Sequence, residues 1–258
     1  MDIKKYILVI LIFIIQLYQS QTTIIEYQLI DKTINLVDRE ILMVDNDKSF
    51  YFSYVERDNK TLDNIVKDYN IKRGLKFYRN LDSLNVSYYI GIIPGNTMTD
   101  LYAFKDILPV IDWKLLSEEK EILGIRCKKA QANFRGRKYT AWYTIEVPIS
   151  LGPWKAYGLP GLILELLDDK SQFNYTAIKL IQNSDLVIPK SILEYINDLN
   201  SAKTRTYKEY VNLYDKNSID QLHRIKATLP KQSNAVFAPH RESMREVKFE
   251  WEKESKKP

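Results

Sequence analysis

The sequence predicts a single α+β domain dominated by an antiparallel β-sheet. Three observations carry this expectation. Between residues 122 and 180, alternating or apolar stretches follow one another with turn-forming segments between them. The C-terminal third switches to helical spacing, at Ile192, Tyr195, Ile196 and Leu199 and again at Tyr207, Tyr210, Val211 and Tyr214. The segment Gly152-Pro153-Trp154-Lys155-Ala156-Tyr157-Gly158-Leu159-Pro160-Gly161 feeds directly into the apolar run Leu162-Ile163-Leu164-Glu165-Leu166-Leu167. Glycine reaches backbone angles closed to other residues and proline fixes φ, so this is a bend that launches a buried strand.

From the N-terminus, Lys4 and Lys5 precede an apolar run over residues 6–17, and Tyr18-Gln19-Ser20 follows. Residues 1–20 read as a secretory signal cleaved after Ser20. The run is short of the roughly 20 residues a membrane span needs; an uncleaved anchor is the alternative. Residues 22–30 alternate, with Thr23, Ile25, Tyr27 and Leu29 on one face and Glu26 and Gln28 on the other, which predicts a strand. Residues 41–44 and 50–55 flank Asp45-Asn46-Asp47-Lys48 as a hairpin. Leu62, Ile65, Val66 and Tyr69 predict a short helix, with Thr61 as N-cap and Gly74 as its stop. Residues 86–93 predict a strand ended by Pro94-Gly95-Asn96.

In the centre, residues 122–134 read as one strand, Arg135-Gly136-Arg137 as a tight turn, and residues 138–147 as the returning strand stopped by Pro148. The glycine-proline bend, a strand over 162–167, a turn over 168–172 and a strand over 173–180 complete an antiparallel meander. Helical periodicity runs from residue 191 to about 225, with a break near Asn200. The tail from His240 to Pro258 carries charges of mixed sign and reads as a solvated segment or a frayed end. There is no internal repeat or low-complexity linker, so residues 21–258 read as one domain.

The chain has 258 residues, 38 Lys and Arg against 33 Asp and Glu, and a net charge of +5. Charges of both signs interleave, which argues against a nucleic-acid surface. Cys127 is the only cysteine, so no internal disulfide forms; it reads as a structural thiol on a half-buried strand. His223 and His240 are the only histidines, and no zinc, calcium, serine-hydrolase or phosphate-loop motif occurs. The sequence predicts neither metal nor cofactor. Asn59, Asn85 and Asn174 head glycosylation-type triplets, on which no functional expectation is built.

Five blocks carry a resemblance. They are Gly124-Ile125-Arg126-Cys127-Lys128-Lys129-Ala130; Phe134-Arg135-Gly136-Arg137-Lys138-Tyr139-Thr140-Ala141-Trp142-Tyr143-Thr144; Ile145-Glu146-Val147-Pro148-Ile149; Gly152-Pro153-Trp154; and Gly158-Leu159-Pro160-Gly161-Leu162-Ile163-Leu164-Glu165. In that order the chain resembles the GLPGLI family, exported proteins of Bacteroidota without an established biochemical function. Val147 stands where the family more usually has isoleucine. The resemblance assigns Arg135, Gly136, Gly152, Pro153, Gly158, Leu159, Pro160, Gly161, Leu162 and Ile163 to a structural motif. By analogy it implies a strongly curved antiparallel sheet, an incomplete barrel of the envelope lipoprotein-carrier kind packed with helices.

Function is less legible. Arg135 and Arg137 form a fork for a carboxylate or phosphate, or a solvated hairpin tip, or pairs with Asp168, Asp169 and Glu165 on neighbouring strands. Trp142, Trp154 and Tyr157, with Arg137, are the candidates for an apolar or peptidic ligand groove; alternation puts Trp142 and Tyr143 on opposite faces, and core packing of the bend is the competing role. Glu146, Glu165, Asp168 and Asp169 are the only candidates for acid–base work, and their spacing demands no paired site. The leading expectation is a non-enzymatic binding protein of the periplasm or outer-membrane periphery. The alternatives are an accessory module for an outer-membrane transporter or protease, and a carboxylate-dependent hydrolase.

Overall fold

The computed structural model of the chain describes residues 22–54, 61–67, 69, 76–92, 101–197, 204–230 and 241–252. Its strands are β1 (Thr22–Asp31), β2 (Leu36–Asp45), β3 (Lys48–Tyr54), β4 (Lys76–Asn80), β5 (Val86–Gly91), β6 (Tyr102–Ile107), β7 (Lys114–Ile122), β8 (Ile125–Phe134), β9 (Arg137–Thr144), β10 (Leu162–Asp168), β11 (Phe173–Ser184) and β12 (Thr204–Thr206). The helices are α1 (Leu62–Lys67), α2 (Lys190–Asn197) and α3 (Tyr207–Thr228).

All twelve strands belong to one open sheet, ordered β12-β6-β5-β4-β3-β2-β1-β11-β10-β9-β8-β7. Two meanders, β1 to β6 and β7 to β11, join where β1 pairs with β11. Every pairing is antiparallel except β12 with β6. The predicted run through the centre is present as β8 to β11, and residues 162–167 form a buried strand.

Tight turns follow from local chemistry. The β8–β9 hairpin turns at Arg135 (φ 45°) and Gly136 (φ 84°), two positive angles that suit a two-residue reversal of twisted strands. Asn46 (φ 49°) turns β2 into β3, asparagine being tolerant of that region. Leu123 and Gly124 make a third such turn (φ 54° and 73°), so residues 122–134 are not one strand. The chain reverses at Gly124, and the charged stretch before it is the edge strand β7. Strand β9 ends at Thr144, short of the predicted 147.

The core lies on both faces of the sheet. Ile25, Tyr27, Leu29, Leu42, Tyr51 and Phe77 share the larger cluster with the glycine-proline bend. Ile24, Ile41, Met43, Phe50, Phe52 and Tyr78 face the other way, under Val66 of α1 and Ile192 of α2. Burial on two faces explains why Phe50-Tyr51-Phe52 is continuously apolar where a one-sided strand would alternate. Among the described residues the helical stretch is interrupted by β12, which precedes α3; α3 starts behind a Thr206–Glu209 capping box and packs on β6 and β12. Thr61 heads α1, where its hydroxyl accepts from the Asn64 N–H at 3.4 Å.

The tail needs correction. Residues 241–252 are not a frayed or solvated end: Phe249 is 3% exposed and Glu246 5%. Of the charges that suggested solvent, Arg245, Glu246 and Glu250 pair with the sheet and the bend, and Arg241 pairs with Asp215 of α3 and with Glu252. Residues 1–21, Asn59, Gly74, Pro94 to Asn96, Asn200, His240 and 253–258 lie outside the described residues.

Candidate functional site

The β8–β9 turn lies beneath the C-terminal segment. Both Val247 and Lys248 donate their amides to the Arg135 carbonyl, at 2.8 and 3.1 Å. Gly136 leaves room for this contact, since a Cβ there would meet the Lys248 nitrogen at 3.0 Å. The Arg135 side chain, fully buried, turns inward to Asp106 of β6 at 2.7 and 2.8 Å, to Glu246, and to Glu250 at 3.0 Å. Lys155 comes from the bend, is 0% exposed, and donates to Asp106 (2.7 Å) and Glu246 (2.9 and 3.0 Å). Its ammonium sits 3.6 Å from the centre of the Tyr207 ring, whose hydroxyl donates to Glu246 at 2.7 Å. Burial pushes the Asp106 carboxyl up, but Lys155 and Arg135 outweigh it and hold the group below the usual carboxylate range.

Arg137 forms a second anchor. It donates to Asp168 (2.9 Å), Gln172 (2.7 Å) and the carbonyls of Met244 and Glu242 (both 2.7 Å). A third links Arg245 to Glu40 at 3.3 Å, while Tyr139 donates to the Arg245 carbonyl at 2.9 Å and Tyr51 donates to Glu40. Segment 241–252 is therefore a strap across the open face of the sheet, held by charges from the bend and the hairpin tip.

Under the strap lies a cleft of about 350 Å³. Phe77, Tyr89, Trp154, Phe173, Tyr207 and Tyr210 supply aromatic walls, and residues 243–246 close one side. Asp31, Asp38 and Glu40 make one end acidic, with Arg245 as a counter-charge. Asp38 is half-buried; burial, with Glu40 beside it, pushes its carboxyl up to about 6 against the pull of the Arg39 amide. The arrangement offers flat apolar surface and an acidic end.

Of the predicted ligand residues, only Trp154 lines the cleft. Tyr157 is buried; its hydroxyl donates to the Pro109 carbonyl at 3.0 Å and its backbone carbonyl accepts from Trp113 Nε1 at 2.8 Å. Trp142 is on the outer face, with Lys120 and Lys129 at 4.5 and 5.7 Å from its ring, so alternation separated it from Tyr143 as predicted but also from the cleft. Arg135 and Arg137 are neither a solvated tip nor a free ligand fork, since both guanidinium groups are buried; of the strand pairs expected as the other role, Arg137 makes the one with Asp168, whereas Arg135 turns to Asp106, Glu246 and Glu250.

The motif residues pack the bend. Gly152 sits against Ile163, a Cβ there falling 2.6 Å from that side chain, and Leu159, Leu162 and Ile163 are buried. Pro153 is buried too, while Gly158 and Pro160 are on its surface. The candidate carboxylates are dispersed: Glu165 pairs with Lys120 at 2.5 Å, Asp168 with Arg137, and Glu146 and Asp169 are exposed. Among the described residues no group of three or more His, Cys, Asp or Glu could hold a metal ion. Burial pushes the Cys127 thiol up to about 11, which leaves it protonated and inert near neutrality.

Sequence reasoning missed Lys155, Asp106, Glu246, Tyr207, Arg245 and Glu40. Lys155 alone carried a signal, as a charge enclosed by glycine-proline elements and aromatics. No local pattern marks the others, whose partners lie up to 205 residues away.

Fold and site together define a β-sheet domain strapped over an aromatic cleft. A family model described as "Protein of unknown function (Porph_ging)" matches residues 133–165, which run from the β8–β9 hairpin through the bend into β10. No curated protein matches the chain. Among solved structures it is similar to PNGF-II in a C2 space group (TM-score 0.54, 19% identity, 77% of this chain and 33% of that one) and in a P21 space group (TM-score 0.55, 18% identity, 77% and 34%). The chain thus spans about a third of the length of PNGF-II. At this identity the likeness concerns the fold alone. Among the described residues no helix is long and apolar enough to cross a membrane.

Proposed function

We infer that this chain is an exported, non-enzymatic binding protein of the cell envelope. Residues 1–20 direct export, and residues 21–258 form one GLPGLI-type domain whose sheet wraps as an incomplete barrel. Its ligand is an amphipathic molecule or peptide with a cationic group. The observation that carries this reading is the cleft, where six aromatic side chains meet an acidic end at Asp31, Asp38 and Glu40. Aromatic faces supply apolar contact and attract cations, and a few polar groups orient the ligand. Arg137, spent on Asp168 and the strap, supports no anionic ligand there.

The test is calorimetric titration of the mature protein with peptides that differ only in the number of lysines, each flanked by apolar residues. A cation beside Asp38 favours its charged form, so binding strengthens between pH 5 and pH 7 and weakens in Asp38→Asn. If no peptide binds the folded protein in saturable fashion, or lysine content has no influence, the reading fails. The second reading, an accessory module docking on an outer-membrane transporter or protease, draws support from coverage: in PNGF-II the similar architecture makes up about a third of the chain. A stoichiometric partner cross-linked in native envelopes favours it over the first.

A further inference from the structure

Next to the cleft, the sheet carries a row of buried polar side chains that the strap does not use. Arg79 of β4 pairs across the ladder with Ser49 of β3. The β4–β5 register, Phe77 with Tyr89 and Tyr78 with Tyr88, brings Ser87 opposite Arg79, and Ser87 in turn pairs with Asp106 of β6. Arg79 is 3% exposed and Ser87 0%. Among the described residues neither Nη1 nor Nη2 of Arg79, nor Oγ of Ser87, has a hydrogen-bond partner. The guanidinium carbon lies over the Tyr157 ring, 5.2 Å from its centre, a contact that takes up none of its hydrogen-bond donors. Asp106 bonds to Arg135 and Lys155, and no hydrogen bond joins it to the Arg79 terminal nitrogens. Buried donors left unmatched cost stability, more so when charged.

Charge points the same way. Arg79, Arg135 and Lys155 are buried cations, and the acids among them, Asp106, Glu246 and Glu250, all bond to Arg135 or Lys155, whereas none of them bonds to the Arg79 terminal nitrogens. Glu250, the remaining acid in the network, has a 37% exposed side chain and meets Arg135 from the solvent side. We propose that Arg79 and Ser87 form a binding site for a small monovalent carboxylate, taken in the plane of the Arg79 fork with the Ser87 hydroxyl donating to it. Two parallel N–H donors match the two oxygens of a carboxylate. Phe77 and Tyr89, two residues along the same strands and on the same face, line the cleft, so the site borders its floor.

The test is thermal unfolding of the full chain with formate, acetate, sulfate or chloride titrated at constant ionic strength. Formate and acetate raise the melting temperature of the wild type saturably, sulfate and chloride do not, and the effect vanishes in Arg79→Met. Ser87→Ala, which keeps the guanidinium, weakens the apparent affinity on the order of tenfold. A wild-type melting temperature that follows ionic strength alone overturns the proposal, as does a saturable response that persists in Arg79→Met. If that variant does not fold, an unchanged response in Ser87→Ala overturns it instead. None of these readings depends on whether the cleft binds a cationic peptide.

Discussion

Gly161 shows how tightly single residues are committed in the bend. Its φ is +154°, and a Cβ there would lie within the Thr144 carbonyl. Gly161→Ala must push β9 away from β10 and should cost about 2–4 kcal/mol, measurable by urea unfolding. Lys155 is bound to two carboxylates in the dry interior. Lys155→Met leaves Asp106 and Glu246 short of a cation and should cost about 3–5 kcal/mol in the same assay. Asp38 acts in the opposite sense. An acid whose folded pKa is raised opposes folding when charged, so its penalty is full above about pH 6 and vanishes below the ordinary 3.8. Asp38→Asn keeps an acceptor for the Arg39 amide. It should stabilise the protein by about 1 kcal/mol at pH 7, allowing for solvent screening of a half-buried group, with no gain below pH 4. Melting curves of both proteins across that range decide it. The glycines were legible because their constraint is local. Asp38 was not, because its cause is burial beneath a distant segment.

The β8–β9 hairpin, β10 and β11 were readable because periodicity, turn glycines and the proline-bounded bend all agree. The edge strand β7 was not, since Lys114–Ile122 mixes charges on both faces where no second layer demands alternation. The strands β4, β6 and β12 are short and were missed for want of enough residues to show a period. The strap is the largest misreading. Charges in ion pairs look like charges in water when only the chain is seen. Its contribution follows from its partners: without it, Arg137 loses two carbonyl acceptors, and Arg135 and Lys155 lose Glu246. A chain truncated before Arg241 should melt at least about 10 °C lower than the full chain, as read by scanning calorimetry.

Across the whole molecule, the α+β character, the central meander and the helical C-terminal third follow from sequence, whereas the joining of two meanders through β1 and β11 does not. That joint pairs residues such as Gln28 and Thr176, too far apart in the chain for any local pattern to connect. The cleft was illegible for the same reason. Its walls come from β1 to β5, β11, the bend, α3 and the strap, and only Trp154 was anticipated. The central claim is that the hairpin tip and bend exist to dock residues 241–252 over the open face. Amide hydrogen exchange of the intact protein tests it most directly. The account predicts that the Val247 and Lys248 amides, which donate to Arg135, are protected as strongly as those of β9. Exchange of these two amides at the rate of an unstructured peptide, while β9 stays protected, would contradict it.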